Sequence, residues 1–196
     1  MGLRMSADPI ERFRRLFERA AKEEAHDATA ATLATAGVDA RPSARMVLLK
    51  GVDRRGFRFF TNYGSAKARQ LDANPRAALC FYWPTLGRQV RVEGRVERLP
   101  AEESDAYFAS RPRGSQLGAW ASRQSEPLPR RFTLLRRYAR EKIRWAGREI
   151  SRPPFWGGYL LRPDRIEFWR TEAYRLHDRQ AFVRDGEGWR AERLYP

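Results

Sequence analysis

The sequence predicts an α+β protein that is mainly β, an antiparallel barrel or sandwich with helical decoration. Three observations predict it. Short segments of β texture recur from residue 28 onward, Gly, Pro, Asn and Asp punctuate them, and helical periodicity interrupts them in only a few places. With 196 residues, 42% hydrophobic and 12% aromatic, the chain can bury one sizeable core and is read as one domain over 1–196. Residues 1–27 hold an N-terminal helix, and 28–196 hold the strands with inserted helices.

Asp8 followed by Pro9 is an N-cap and first-turn signal, and Ile10, Phe13, Phe17, Ala20 and Ala21 recur at helical spacing, so a helix runs to about Glu24. His26, just beyond it, reads as a surface residue. "ATAATLATAG", "RPSARMVLLKG" and "GFRFFTN" follow as consecutive antiparallel strands, with turns at Gly37–Asp39 and "GVDRRG". "SAKARQLDAN" is a short helix stopped by Pro75. "RAALCFYW" and "RQVRVEGRVERL" are strands joined by the turn "PTLGR". Helical pattern returns at "AEESDAYFASR" and from about Pro129 to Ala146. "GGYLLRP", "RIEFWR" and a final hairpin around "DGEG" complete the chain.

The balance of 39 basic against 24 acidic residues gives +15, and every basic residue but Lys22, Lys50, Lys67 and Lys142 is arginine. Clustered cations bind nucleic acid by releasing counterions, but here the arginines are scattered among Glu and Asp without a basic tail. No nucleic-acid partner is expected. No apolar run approaches a bilayer span, so no membrane partner is expected either. Cys80, the only cysteine, lies in an apolar run read as a buried strand; intrachain disulfides are impossible, and a reducing cytoplasm is expected. "MGLRMS" fits a loose N-myristoylation pattern that chance explains as well, and Met5 is an alternative start.

Neither common phosphate-cradling glycine loop is present, no G-x-S-x-G elbow supports a hydrolase, and one cysteine with two distant histidines offers no metal site. Basic and hydroxyl residues do gather at element ends: Arg45 and Lys50 in "RMVLLK", Lys67 in "SAK", and Tyr107, Arg111 and Ser115 in "YFASRPRGS". The last is "RLHDR", with His177 between Arg175 and Arg179. Each taken alone reads as a solvated charge.

Taken together, the segments "RPSARMVLLKG", "FTNYGSAKARQLDANPRAALCFYW", "RQVRVEGRVERLP", "SDAYFASRPRGSQLGAWASRQS", "PPFWGGYLLRP", "IEFW" and "RLHDR" resemble the pyridoxine/pyridoxamine 5'-phosphate oxidases from about residue 28 to the C-terminus. The resemblance implies a split β-barrel homodimer with FMN in clefts at the subunit interface. It implies oxidation of pyridoxine or pyridoxamine 5'-phosphate to pyridoxal 5'-phosphate, with O2 as acceptor and H2O2 as by-product. The flavin carries the redox step while the protein supplies position and charge.

By the same resemblance, FMN contacts fall on Arg45, Met46, Val47, Leu48, Leu49, Lys50, Phe60, Thr61, Ala66, Lys67, Gln89, Gln124, Ser125, Trp169 and Arg179. Arg45 and Lys67 suit the terminal phosphate, and Gln89 and Gln124 the polar edge of the ring. Lys50, Tyr107, Arg111 and Ser115 suit the substrate phosphate. Arg175 and His177 fall at the reacting end, His177 as a neutral positioning group, since adjacent cations disfavour its protonation.

Three departures from the family pattern stand out. Ala66 replaces a common arginine, which lowers the expected FMN affinity. Tyr174 is bulkier than the small polar residue usual before RLHDR. The family's N-terminal substrate-covering segment has no counterpart before the first helix. The rival readings are a related FMN oxidase of another substrate, as in phenazine biosynthesis, and a nonenzymatic flavin- or pyridoxal-phosphate-binding protein.

Overall fold

The structure, a computed structural model, describes residues 8–196. The "MGLRMS" pattern and Met5 lie outside them. Helix α1, Pro9–Glu23, begins where the sequence places it: the Asp8 carboxylate accepts from Ile10 N at 2.9 Å, and Pro9 occupies the first turn. Its buried face, Ile10, Phe13 and Ala20, seats against the sheet, with Phe13 edge-on to Phe57 and Phe81. The helix end is pinned by Glu24, whose carboxylate accepts from Leu86 N at 3.0 Å.

The strands are β1 (Ala30–Ala36), β2 (Pro42–Leu48), β3 (Gly51–Asp53), β4 (Gly56–Asn62), β5 (Arg76–Trp83), β6 (Arg88–Arg98), β7 (Trp156–Arg170), β8 (Asp178–Asp185) and β9 (Gly188–Leu194). The helices after α1 are α2 (Ala66–Ala73), α3 (Ala101–Ser110), α4 (Arg113–Ala121) and α5 (Arg131–Arg144). All strand pairs are antiparallel, in the order β2-β1-β5-β6-β7-β4-β3, with β8 on the far half of β7 and β9 beyond it. The sheet curls until β2 meets β4, and Lys50 N bonds Arg58 O at 2.8 Å. This is the expected barrel-like α+β architecture.

Four local expectations are corrected. "GGYLLRP" and "RIEFWR" form one strand, β7, because Pro163 sits at a bulge, where its missing N–H does no harm. There Gly94 lies so close to Arg162 O that a Cβ would collide with it. Part of the "GVDRRG" turn is the short strand β3, and α4 falls where no helix was expected. Cys80 is half-buried rather than core, since alternation along β5 sends Leu79 and Phe81 inward and leaves Cys80 and Tyr82 on the opposite face. Burial pushes its thiol pKa up.

That opposite face is continuous across the sheet. Met46, Thr32, Cys80, Arg91, Glu167 and Ala181 are successive register partners from β2 to β8. Met46 and Tyr82 are each 61% exposed on it.

Candidate active site

Beside the β2 edge, a cleft of about 570 Å³ opens between β4, the β2–β3 connection, α3 and α4. Lys50, Tyr107, Arg111 and Ser115, the four residues expected to meet a phosphate, all line it, and among the described residues no carboxylate does. The fold explains their convergence. Tyr107 lies in the last turns of α3, Arg111 follows its end, and Pro112 starts α4 so that Ser115 falls in its first turn. Lys50 leaves the sheet just past β2.

The apolar wall is aromatic. Phe60 stacks on Tyr107 with ring centroids 3.9 Å apart and on Trp156 at 5.5 Å. The Arg111 guanidinium lies 4.6 Å above the Trp156 ring, and its Nη1 is buried without a hydrogen-bond partner. Burial lowers the Arg111 pKa and raises that of the Tyr107 phenol. A buried donor with no acceptor costs about 1–3 kcal/mol, and an anion in the cleft would satisfy it.

Lys67, on the first turn of α2 and 8% exposed, stands next to this cleft. Its Nζ donates to Thr61 Oγ1 at 3.1 Å, Gln124 Oε1 at 3.0 Å and Ser65 Oγ at 3.4 Å. Among the described residues no carboxylate pairs with it. Burial, and then the charge of Arg45, push its pKa down to about 8. Arg45 likewise rests on neutral acceptors, including Thr35 Oγ1 and, at 3.1 Å, Gln70 Oε1. Lys67 lies in the first turn of α2 and Arg45 bonds Gln70 further along the same helix, and two neighbouring cations on neutral partners suit a phosphate. Ala66 is half-buried there and adds no charge.

The rest of the expected flavin segment divides by alternation. Leu48 lines the cleft, Met46 is exposed on the same face of the sheet, Val47 is half-buried and Leu49 is core. Thr61 and Gln124 line the cleft, while Ser125 follows in an exposed loop with φ of 72°.

The remaining five residues form a separate group. Gln89 pairs in register with Trp169, and Trp169 with Arg179. The His177 ring rests 4.5 Å from that of Trp169, with Nδ1 accepting from Glu172 N at 3.3 Å. Trp169 is half-buried, so it is not the core aromatic that its sequence also allowed. Arg175 is exposed. None of these five lines the cleft, which takes Trp156 from the start of β7, whereas Trp169 lies near the other end of the same strand.

Sequence reasoning missed Glu167, 3% exposed, which accepts from Arg179 Nε at 2.9 Å and also faces Arg91. It missed Asn62, Ser122 and Trp156 in the cleft lining. Trp156 was visible in "PPFWGG", but nothing there separates a lining tryptophan from a core one.

Comparison with known proteins decides the family. The pyridoxamine 5'-phosphate oxidase model matches residues 17–143, and the pyridoxine 5'-phosphate oxidase C-terminal dimerisation region matches 156–196. The chain belongs to the pyridoxamine 5'-phosphate oxidase family. It is 60% identical over 189 residues to the pyridoxine/pyridoxamine 5'-phosphate oxidase of Rubrobacter xylanophilus, covering 96% of this chain and 87% of the relative. For the Myxococcus xanthus oxidase the identity is 56%, covering 96% and 92%.

Among solved structures, PhzG from Burkholderia lata 383, in complex with tetrahydrophenazine-1-carboxylic acid, is 31% identical with a TM-score of 0.91, covering 100% of this chain and 98% of that one. An FMN-binding protein of Nostoc punctiforme, 20% identical with a TM-score of 0.76 and full coverage of both chains, shares the fold. Membership makes the chain an oxidoreductase with FMN as its cofactor, on a split barrel with a C-terminal dimerisation region. Among the described residues no helix is long and apolar enough to cross a membrane.

Proposed function

We propose that this enzyme oxidises pyridoxamine or pyridoxine 5'-phosphate to pyridoxal 5'-phosphate, with O2 as acceptor and H2O2 as by-product, in the cytoplasm. The observation that carries the reading is the cleft itself: Lys50, Arg111, Tyr107 and Ser115 line it with no carboxylate, and Arg111 holds a buried, unpartnered N–H. Two cations and two hydroxyls complement a phosphate monoester in charge and in hydrogen bonding. The aromatic wall of Phe60, Tyr107 and Trp156 bounds the space beside it.

FMN, when bound, accepts the two electrons and passes them to O2. The protein supplies position. Lys67 and Arg45 would hold the cofactor phosphate, with Thr61 and Gln124 already bonded to Lys67 Nζ. The Gln89, Trp169 and Arg179 group would face the ring from a second subunit, and Glu167 fixes the direction of the Arg179 fork. Arg175 would cover the vitamer and His177 would hydrogen-bond its polar groups, its Nδ1 accepting from Glu172 N. This division requires a homodimer with FMN at the interface. Support comes from the absence of these residues from the cleft lining of one chain, from the exposed Met46 and Tyr82 on the shared face, and from the match to a dimerisation region.

The likeness to PhzG favours a second reading, an oxidase of a carboxylated tricyclic substrate. The phosphate-shaped cation and hydroxyl set argues for the first. The test is peroxide release by the FMN-loaded protein with each vitamer phosphate. Turnover of either supports the proposal, and turnover of neither, with FMN bound, defeats it.

A further inference from the structure

A second basic cavity, of about 270 Å³, lies between α1 and the strand ends where β6, β7 and β8 meet. Arg12, Arg15 and Arg19 reach it from one face of α1, at helical spacings of three and four. Arg88, at the start of β6, and Arg170, at the end of β7, face them, and Asp178 is the single carboxylate in the lining. None of these five arginines belongs to the expected flavin or vitamer sets.

Three of them have partners. Arg15 pairs with Glu11 at 3.4 Å, Arg19 with Glu23 at 2.7 Å and Arg170 with Glu172 at 2.6 Å. Asp178 is shared between Arg170 at 3.9 Å and Arg193 at 3.5 Å. Among the described residues, Arg12 and Arg88 have no carboxylate within ion-pair distance. Arg12 instead donates to Gln180 Oε1 at 2.6 Å and lies 4.2 Å above the Phe168 ring. Burial lowers both of their pKa values; Arg88 lowers that of Arg12 further, and Arg170 and Arg19 that of Arg88. Unpaired like charges forced together in a partly dry cavity destabilise the empty state, and a bound anion removes that penalty.

We propose that this cavity binds a small phosphate-bearing anion, gripped between Arg12 and Arg88 and flanked by Arg19 and Arg170. Leu16 and Phe168 give it an apolar side wall. The volume admits one or two phosphate groups and excludes a nucleic-acid strand. Binding ties α1 to the sheet, because the anion bridges guanidiniums from both.

The test is calorimetric titration of inorganic phosphate and of pyrophosphate into the FMN-saturated protein, at constant ionic strength set by chloride. Arg88→Gln, Arg12→Gln and Arg111→Gln are compared with the unsubstituted chain. Saturable binding that survives Arg111→Gln and weakens about tenfold or more in Arg88→Gln and Arg12→Gln is expected, since each loses a charge-assisted hydrogen bond. Retention of the flavin spectrum reports folding, and Arg170→Gln replaces any variant that fails it. Absence of saturable binding overturns the proposal. So does binding that Arg111→Gln abolishes while Arg88→Gln leaves it intact, which would assign the anion to the vitamer cleft.

Discussion

Neutralising Lys67 should separate the stability of the empty protein from its affinity for FMN. Lys67 is nearly buried, bonds only to neutral oxygens and titrates near 8 instead of 10.5. A phosphate beside it would restore at least its ordinary value, and the gap corresponds to about 3 kcal/mol. The direction follows from proton counting. Between pH 8 and 10.5 the unfolded chain keeps the Lys67 proton while the empty fold has released it, so the penalty is present below pH 8 and relieved as pH rises through that window. FMN affinity moves the opposite way, full below pH 8 and falling about tenfold per pH unit above it. Fluorescence titration of FMN from pH 7 to 9.5 measures this. Lys67→Met should bind weakly with no such slope, and its empty form should melt a few degrees higher. A flat profile for the unsubstituted protein, or the same slope in Lys67→Met, refutes the reasoning.

Other substitutions probe other parts of the site. Arg111→Leu should raise KM for the vitamer phosphate about ten- to a hundredfold with FMN affinity intact, as steady-state kinetics and flavin titration would reveal. Ala66→Arg should tighten FMN binding about tenfold by adding a charged donor at the N-terminus of α2; an unchanged Kd would place the phosphate elsewhere. Tyr174 has φ of 56° and is 93% exposed, so Tyr174→Asn should relieve about 1 kcal/mol of strain and raise Tm by a few degrees. Glu167→Gln should lower stability by about 1–2 kcal/mol, read by thermal melting, because the partly exposed Arg91 and Arg179 lose their shared buried carboxylate while Arg91 keeps Glu93.

Much of the fold was legible because its elements carry local signals: the Asp8–Pro9 cap, the alternation of β5 and β6, and the Gly-containing hairpin of β8 and β9. The misses are places where long-range structure overrides local chemistry. Pro163 reads as a strand end until the bulge opposite Gly94 is known, and α4 carries no side-chain cap. The set expected to meet a phosphate was legible as a resemblance, and its four residues line one cleft. That Gln89, Trp169, Arg175, His177 and Arg179 lie apart from that cleft was not, since sequence order does not show how far the sheet carries two segments from one another. Tyr174 was noticed for its bulk, whereas its left-handed backbone explains why a small polar residue suits that position.

The central claim, that each site takes its phosphate-binding residues from one subunit and RLHDR from the other, is tested most directly by complementation. Arg111→Leu and Arg175→Leu chains, each nearly inactive alone at vitamer concentrations below the unsubstituted KM, are co-expressed with different tags, and the mixed dimer is purified and assayed there. A mixed dimer carries one doubly substituted and one intact site, so the account predicts about half the activity of the unsubstituted dimer. Activity no greater than that of the two single variants would contradict it.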